Sequence, residues 1–562
     1  MAQIHINTIV DICAQHGIEK AIISPGSRNA PLIIAFNRHP KLKCYSISDE
    51  RSAAFIALGM AQATKNTVAI ICTSGSAALN YAPAVAEAFF QQTPLLVITA
   101  DRPPEWIDQW DGQTIRQQNI YGNHTKNNYN LHLLNEDRNS QILAYRMVNE
   151  ACIQANNNGK GPVHLNIPFR EPFYPTENEA WRLDENAKYV KYHSAPKTLT
   201  TELTAVLKDD FNQFKNVVFL LGQDDYSEAF LTALDETAEL LNIPIFADVI
   251  SNGHKLKHAI RFTDANALAI KTEEEQKFQP ELIISFGRSI ISKNLKLFLR
   301  NAKLKQWHID ADKATISDPF TAISKMIASE SILFLEAMRQ FSPKADKFLD
   351  RWKQLDIQTA QKIQGFLANQ SQFNEFSSLN TIIASIPANA HVHLANSLSV
   401  RYANFIGLNT AKRVWSNRGT SGIDGSNSTA IGHALANPDE QHFLITGDVA
   451  FFYDRNAFWH KYNLSNLKII LINNKGGSIF RMIKGPGQQA ELEEFFETEQ
   501  RLDASKLCEE FNIDYFPVQE QKQLKETLSN WASIRDCSLL EIQTNSLINQ
   551  EIFETFKREL KN

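Results

Sequence analysis

Two short segments of the 562-residue sequence carry side chains suited to a hard cation. In HFLITGDVAFFYDRNAFW, Gly447 and Asp448 end an apolar run; in LKIILINNKGGSIF, Asn473 and Asn474 end the next one. Asp448 and Asn474 stand 26 positions apart with a helical stretch between them. If the two runs are neighbouring strands, both side chains emerge at one sheet edge. A carboxylate and an amide oxygen there suit Mg²⁺ (or Mn²⁺), which keeps further positions for phosphate oxygens and water. Gly476 and Gly477 allow a tight turn in which a backbone carbonyl also faces the metal, so Asp448, Asn474 and Gly476 form the candidate metal set. A helix cap at Asp448 and an ordinary turn at Asn473-Asn474 would use the same residues.

A second candidate lies near the N-terminus. In CYSISDERSAAFIALGMA, Glu50 follows a strand and opens an apolar helix of small residues. A glutamate buried against a ligand ring, its pKa raised, can share a proton with that ring. An acid favoured by the helix dipole is the plainer reading. Farther on, TSGSAALNYAPAV opens a helix after another apolar run, and Ser74, Gly75 and Ser76 leave room for close approach of a ligand. Arginines recur in comparable places: Arg28 in SPGSRNAPL, Arg102 in TADRPPEW, Arg401 in ANSLSVR and Arg418 in SNRGTSGIDG. Guanidinium groups grip carboxylates bidentately, although a surface ion pair accounts for most single arginines.

The elements that must position these residues repeat along the chain. Short apolar runs at 20–24, 44–48, 68–73, 95–100 and 163–167 alternate with helical patterns. A second set covers 217–222, 244–249, 282–287 and 306–310, and a third covers 391–395, 413–416, 442–446, 468–473 and 538–543. Continuous apolar runs spaced by helices indicate buried parallel strands. The segment 172–197, which breaks the rhythm with prolines, charges and tyrosines, and the stretch 340–352, QFSPKADKFLDRW, read as linkers. The pattern predicts three doubly wound α/β domains over 1–180, 195–345 and 355–562. Open parallel sheets bind ligands beyond the carboxyl ends of their strands, where all the candidate residues fall.

Bulk properties narrow the function class. A formal net charge of −5 argues against a nucleic-acid binder, and the 43% hydrophobic, 21% charged composition is that of an ordinary folded chain. The six cysteines form no C-x-x-C pair, so neither a disulfide framework nor a zinc site is expected. No charge-free apolar run reaches about 18 residues, so no membrane span is expected, and the N-terminus reads as an amphipathic helix. The cytoplasm is the expected compartment.

The Gly-Asp…Asn-Asn pair resembles the Gly-Asp-Gly…Asn-Asn motif of thiamine diphosphate (ThDP) enzymes, departing from it at Val449. Thr73, Ser74 and Gly75 resemble the helix start of their pyrimidine-binding domain. The resemblance implies pyrimidine, middle and diphosphate domains in that order. It implies that Glu50 hydrogen-bonds N1′ of the aminopyrimidine, so that the cofactor's own 4′-amino group takes the C2 proton. It further implies a homodimer or homotetramer, each site lying between the pyrimidine domain of one subunit and the diphosphate domain of another.

Six motifs in order, SPGSRNAPL, SDERSAAFIALG, TADRPPEW, DGQTIRQ, ANSLSVR and SNRGTSGIDG, look like the 2-succinyl-5-enolpyruvyl-6-hydroxy-3-cyclohexene-1-carboxylate synthase family of menaquinone synthesis. That family decarboxylates 2-oxoglutarate and adds the succinyl unit to isochorismate. The resemblance places Arg28, Arg102, Arg401 and Arg418 on the substrates, with Ser27, Gln113 and Ser397 as hydrogen-bonding positions. Lys293, in GRSIISKN, matches a basic position of the middle domain; Asn294 follows it where some members carry arginine. Arg401, Arg418 and Ser397 are expected near the succinyl carboxylate, and Arg28, Arg102, Gln113 and Lys293 near isochorismate. Ser27, Arg28, Glu50, Arg401 and Arg418 make up the expected catalytic set. Ile423 matches the residue that props ThDP in its bent form, while Ile479, Phe480 and Gly447 would line the cofactor pocket; core packing is the rival reading for the isoleucines. Another ThDP enzyme, joining two 2-oxo acids, would use Glu50, Asp448 and Asn474 equally well but leaves the arginine loops unexplained. A silent ThDP-binding homologue is the other alternative. No G-x-G-x-x-G turn supports a nucleotide-binding oxidoreductase.

Overall fold

Strands covered on both faces must be apolar throughout, and such runs form the centre of every sheet in the chain. The computed structural model describes all residues except 1, 135–136, 172–173, 175–180, 313–314, 409, 484 and 532. It contains three six-stranded sheets in which every pairing is parallel. The first runs, edge to edge, Lys43–Ser46, Lys20–Ile23, Val68–Cys72, Leu95–Asp101, Val163–Pro168 and Asn128–Asn130. The third repeats this order with Arg413–Trp415, His391–Leu394, His442–Gly447, Leu467–Asn473, Ser538–Gln543 and Asp514–Val518. The second is wound differently: Ile323–Ile327, Lys305–Ile309, Leu282–Phe286, Val217–Leu221, Ile245–Ala247 and Ala259–Ile260.

In the first and third sheets the winding reverses between the first and third strands of the set. Chain leaving those two strands diverges there and opens a crevice. The loops holding Ser27–Arg28 and Thr73–Gly75 leave one such point, and those holding Ser397 and Asp448 leave the other. The strands ending at Gly447 and Asn473 are neighbours, with Gly447 in register with Ile472, so Asp448 and Asn474 share an edge as the spacing predicts.

Two expectations need correction. Asn128–Asn130, Ala259–Ile260, Ile323–Ile327 and Asp514–Val518 are strands that the apolar pattern does not reveal. All four lie at sheet edges, where a continuous apolar run is not required; Ala259–Ile260 is buried but only two residues long. The stretch 340–352 is not a linker throughout, because Asp346–Ala368 forms a 23-residue helix. Its Trp352 is fully buried against Phe246, Phe278 and Phe298. The other expected linker, 172–197, falls partly outside the described residues.

The first and third domains meet along the helices Glu50–Thr64 and Ser426–Ala436. Gly59 and Gly432 face each other at the crossing. A Cβ on Gly59 would stand 2.1 Å from the Thr429 carbonyl oxygen, and one on Gly432 would stand 2.1 Å from that of Ile56. Such contacts leave no rotamer to give way, so the two backbones must separate. Gly432→Ala is expected to destabilise the protein by about 1–3 kcal/mol in thermal unfolding. Gly365→Ala, in the helix Asp346–Ala368 with nothing within 4 Å of its added carbon, is the control. It should stabilise by about 0.5–1 kcal/mol through helix propensity alone.

Candidate active site

The third sheet ends in a cavity of about 440 Å³. Ser397, Ile423, Gly447, Asp448, Asn474, Gly476, Ile479 and Phe480 all line it, so the structure brings the expected diphosphate-end residues together. Asp448 is buried and opens the helix Asp448–Tyr453. Its Oδ1 accepts the Val449 N–H at 2.8 Å; its Oδ2 accepts the Gly476 N–H at 2.8 Å and Gln500 Nε2 at 3.0 Å. Burial pushes the Asp448 carboxyl up to about 6. A cation beside it would favour the charged form.

Asn474 Nδ2 donates to Glu375 Oε2 at 2.9 Å, whereas Asn474 Oδ1 and Ser478 Oγ are buried with no hydrogen-bond partner. Buried polar atoms are normally satisfied, so these mark a place for a ligand. Among the described residues no cluster of three or more His, Cys, Asp or Glu side chains could hold a metal. A cation here therefore draws its remaining ligands from backbone, water and phosphate, the donor set of Mg²⁺ on a diphosphate. Ser397 supports the same cavity from a rarely occupied backbone conformation, φ 74° and ψ −129°, which points its chain into the helix Leu398–Ile406.

Beside this cavity stands a cluster of cations. Burial lowers the pKa of both Arg401 and Arg418, and the charge of Arg401 depresses Arg418 further. Their Nε atoms are buried and unpartnered. Arg418 Nη1 donates to Asn396 Oδ1 at 2.6 Å, and Asn396 Nδ2 donates to the carbonyls of Asn417 and Gly422 at 2.8 and 2.6 Å. The first domain grips the same loop: the buried Glu87 carboxylate accepts the Gly419 and Thr420 N–H groups at 2.7 and 2.6 Å. Gln91 and Gln223 both donate to the Ser416 carbonyl. All three domains thus set the position of Arg418. Lys293 is exposed, whereas Lys296, one helical turn on, is partly buried and feels the charges of Asp248, Arg418 and Arg401.

The first sheet presents the other expected residues at its own edge. Glu50 is half-buried; burial raises its carboxyl pKa, and the Asp49 charge adds to the rise. Cys72 and Tyr81 feel its charge. Thr73 Oγ1 and Ser74 Oγ are buried and unpartnered, and Gly75 takes φ 89°, with the Gln113 backbone 3.3 Å from where a Cβ would stand. Arg28 is buried and donates to the Phe169 carbonyl at 2.9 Å. Arg102 pairs with Asp111 at 3.3 Å and donates to the Gly112 carbonyl at 2.7 Å, next to the exposed Gln113. Neither Glu50 nor Thr73, Ser74 and Gly75 lines the cavity around Asp448. The candidate residues of a single copy thus stand in two groups, one at the edge of each sheet.

Sequence reading misses Glu375, Gln500, Asn396, Glu87 and Lys296. Glu375 follows Asn374 at a helix start, where an acid usually signals the dipole and solvent. Instead it is fully buried, and burial pushes it up to about 7.

Comparison with known proteins agrees with this geometry. The N-terminal TPP binding domain of thiamine pyrophosphate enzymes matches residues 6–120, the middle domain of thiamine pyrophosphate 175–394, and the C-terminal TPP binding domain 397–542. Similar proteins include one from Cytophaga hutchinsonii, 42% identical over 99% of both chains. Others come from Flavobacterium psychrophilum, 38% identical over 98% of both, and Bacteroides fragilis, 33% identical over 99% of both. Each of the three is named 2-succinyl-5-enolpyruvyl-6-hydroxy-3-cyclohexene-1-carboxylate synthase. With three parallel sheets in the order of these domains and relatives matched over nearly its whole length, the chain belongs to the 2-succinyl-5-enolpyruvyl-6-hydroxy-3-cyclohexene-1-carboxylate synthase family of thiamine pyrophosphate enzymes.

Proposed function

We propose that the protein decarboxylates 2-oxoglutarate and joins the succinyl unit to isochorismate, giving 2-succinyl-5-enolpyruvyl-6-hydroxy-3-cyclohexene-1-carboxylate and CO₂ in menaquinone synthesis. One observation carries the choice of substrates: Arg401 and Arg418 lie partly buried together beside the cofactor cavity. Two desolvated guanidinium groups are costly unless an anion joins them, and a dicarboxylate supplies that anion.

When bound, thiamine diphosphate supplies a nucleophilic carbon and an electron sink that let a 2-oxo acid lose CO₂. The chain's part is to bind, orient and desolvate. Asp448, Asn474 and the Gly476 carbonyl would hold Mg²⁺ (or Mn²⁺) on the diphosphate, with Gln500 fixing the Asp448 carboxylate. Ile423, Ile479 and Phe480 would wall the cofactor. Glu50, its pKa raised by burial, would hold a proton at N1′ of the aminopyrimidine. Arg401, Arg418 and Ser397 would take the succinyl carboxylate. Ser27, Arg28, Arg102 and Gln113 would face isochorismate from the first sheet, with a lysine of the helix Lys293–Asn301 contributing from the middle domain. The two half-sites would join when the first sheet of one copy meets the third sheet of another, making at least a homodimer. In the cytoplasm the six thiols of the chain would stay reduced.

The direct test is loss of isochorismate with 2-oxoglutarate, ThDP and Mg²⁺ together, against reactions lacking each one. Decarboxylation of 2-oxoglutarate with isochorismate untouched would reject the acceptor. Glu50→Gln should lower kcat by about 10²–10⁴-fold while the unfolding temperature stays unchanged; wild-type turnover would remove Glu50 from the mechanism. Asp448→Ala should weaken cation and ThDP binding together in calorimetry. Co-expressing Glu50→Gln with Asp448→Ala should restore activity that neither has alone, since a mixed dimer gathers both lesions in one site and leaves the other intact. No recovery from purified mixed dimers would place both half-sites in one copy.

A further inference from the structure

Glu375 and Asn474 are 99 residues apart in sequence and 2.9 Å apart in space. The glutamate opens the helix Glu375–Ser385, which Asn374 caps by accepting the Ser377 N–H at 2.9 Å. Its backbone N–H donates to Asn549 Oδ1 at 3.1 Å, on the final helix Ser546–Lys561. Asn549 Nδ2 donates to Thr544 Oγ1 at 2.9 Å, and the Thr544 N–H donates to the Asn473 carbonyl at 3.0 Å. The base of Glu375 and the backbone beside Asn474 are therefore tied into one network. Each carboxylate oxygen has one donor: Oε1 accepts the Tyr402 hydroxyl at 2.7 Å, and Oε2 accepts Asn474 Nδ2. Tyr402 is buried and neighbours Arg401 on the helix Leu398–Ile406.

A buried carboxylate is an expensive way to fill space, because an apolar side chain of the same volume needs no desolvation. What a carboxylate does that an apolar group cannot is accept. An asparagine amide can turn over and present either its oxygen or its nitrogen to the cavity, and only the oxygen binds a cation. With Nδ2 taken by Glu375, Oδ1 is the end left over, and it is the buried, unpartnered atom at the cavity. We infer that Glu375 is a positioning residue that fixes the Asn474 amide with its oxygen toward the cation and ties that amide, through Tyr402, to the helix bearing Arg401. Partners behind a metal ligand set its orientation in this way. The inference rests on Asn474 being a cation ligand, as proposed above.

The test measures Mn²⁺ affinity of the full-length enzyme in saturating ThDP, from loss of the free-ion EPR signal. Unfolding temperature without cation or cofactor serves as the folding control. Glu375→Met, which removes the acceptor at similar volume, should weaken Mn²⁺ binding about 10–100-fold. Glu375→Gln keeps one oxygen for Asn474 and an N–H for the Tyr402 oxygen, so its Mn²⁺ affinity should stay within about threefold of wild type. If Glu375→Met does not fold, Glu375→Asp, too short to bridge Tyr402 and Asn474, should show the same loss. Asn474→Ala separates the two levels. Weakened binding in Asn474→Ala with wild-type affinity in the folded Glu375 variants overturns the inference and leaves the ligand standing. Wild-type affinity in Asn474→Ala overturns the ligand itself. A Gln variant as weak as the Met variant would assign the effect to charge and overturn the orienting role.

Discussion

Two backbones can touch only where no side chain intervenes, and this chain brings its outer domains together through such a contact. Gly59 and Gly432 let the helices Glu50–Thr64 and Ser426–Ala436 cross with carbonyls against Cα atoms. From that crossing the finer contacts follow. Glu87 reaches the Gly419 and Thr420 amides, Asn456 donates to Asp49 beside Glu50, and Arg51 donates to the Tyr453 carbonyl. One helix starts at Glu50, the other follows the Arg418 loop, so a shift in the crossing would move both groups of candidate residues.

The electrostatics of the site follow from burial rather than from net charge. A chain of formal charge −5 gathers Arg401, Arg418 and Lys296 in one partly desolvated region beside the cavity around Asp448. Asp248 and Asp264 moderate that region, the first accepting the Ile291 and Ser292 N–H groups and the second the Asn294 N–H. The acids thus fix the loop and helix that carry the lysines, while the guanidinium groups keep Nε atoms unpartnered. Such a region attracts dianions whatever the sign of the whole molecule.

The sequence is most readable where an element is buried on both sides. Central strands such as Val68–Cys72 and, within Leu467–Asn473, the stretch 469–472 appear as unbroken apolar runs, and the candidate ligands follow shortly after them. Edge strands such as Ile323–Ile327 escape notice because their outer flank is polar. Trp352 escapes because the proline and charges before it imitate a linker, although the helix it sits in buries it. The same limit applies to the site. Asp448 and Asn474 stand in recognisable loops, whereas Glu375 acts through a partner 99 residues away, a distance over which spacing carries no information. The motif GRSIISKN draws attention to Lys293, and only helix phase, which leaves Lys293 exposed and turns Lys296 partly inward, brings Lys296 to notice.

The edge strands have a further consequence. The six outermost strands hold between two and five residues each. Lys43, Arg413 and Lys325 place charges on three of them, and Pro517 removes an N–H donor from a fourth. Short, charged or proline-bearing borders are poor templates for another chain's backbone. Each sheet is therefore finished within its own polypeptide. A strand from another chain would find little free backbone at any of these borders, so growth by edge-to-edge sheet pairing is disfavoured.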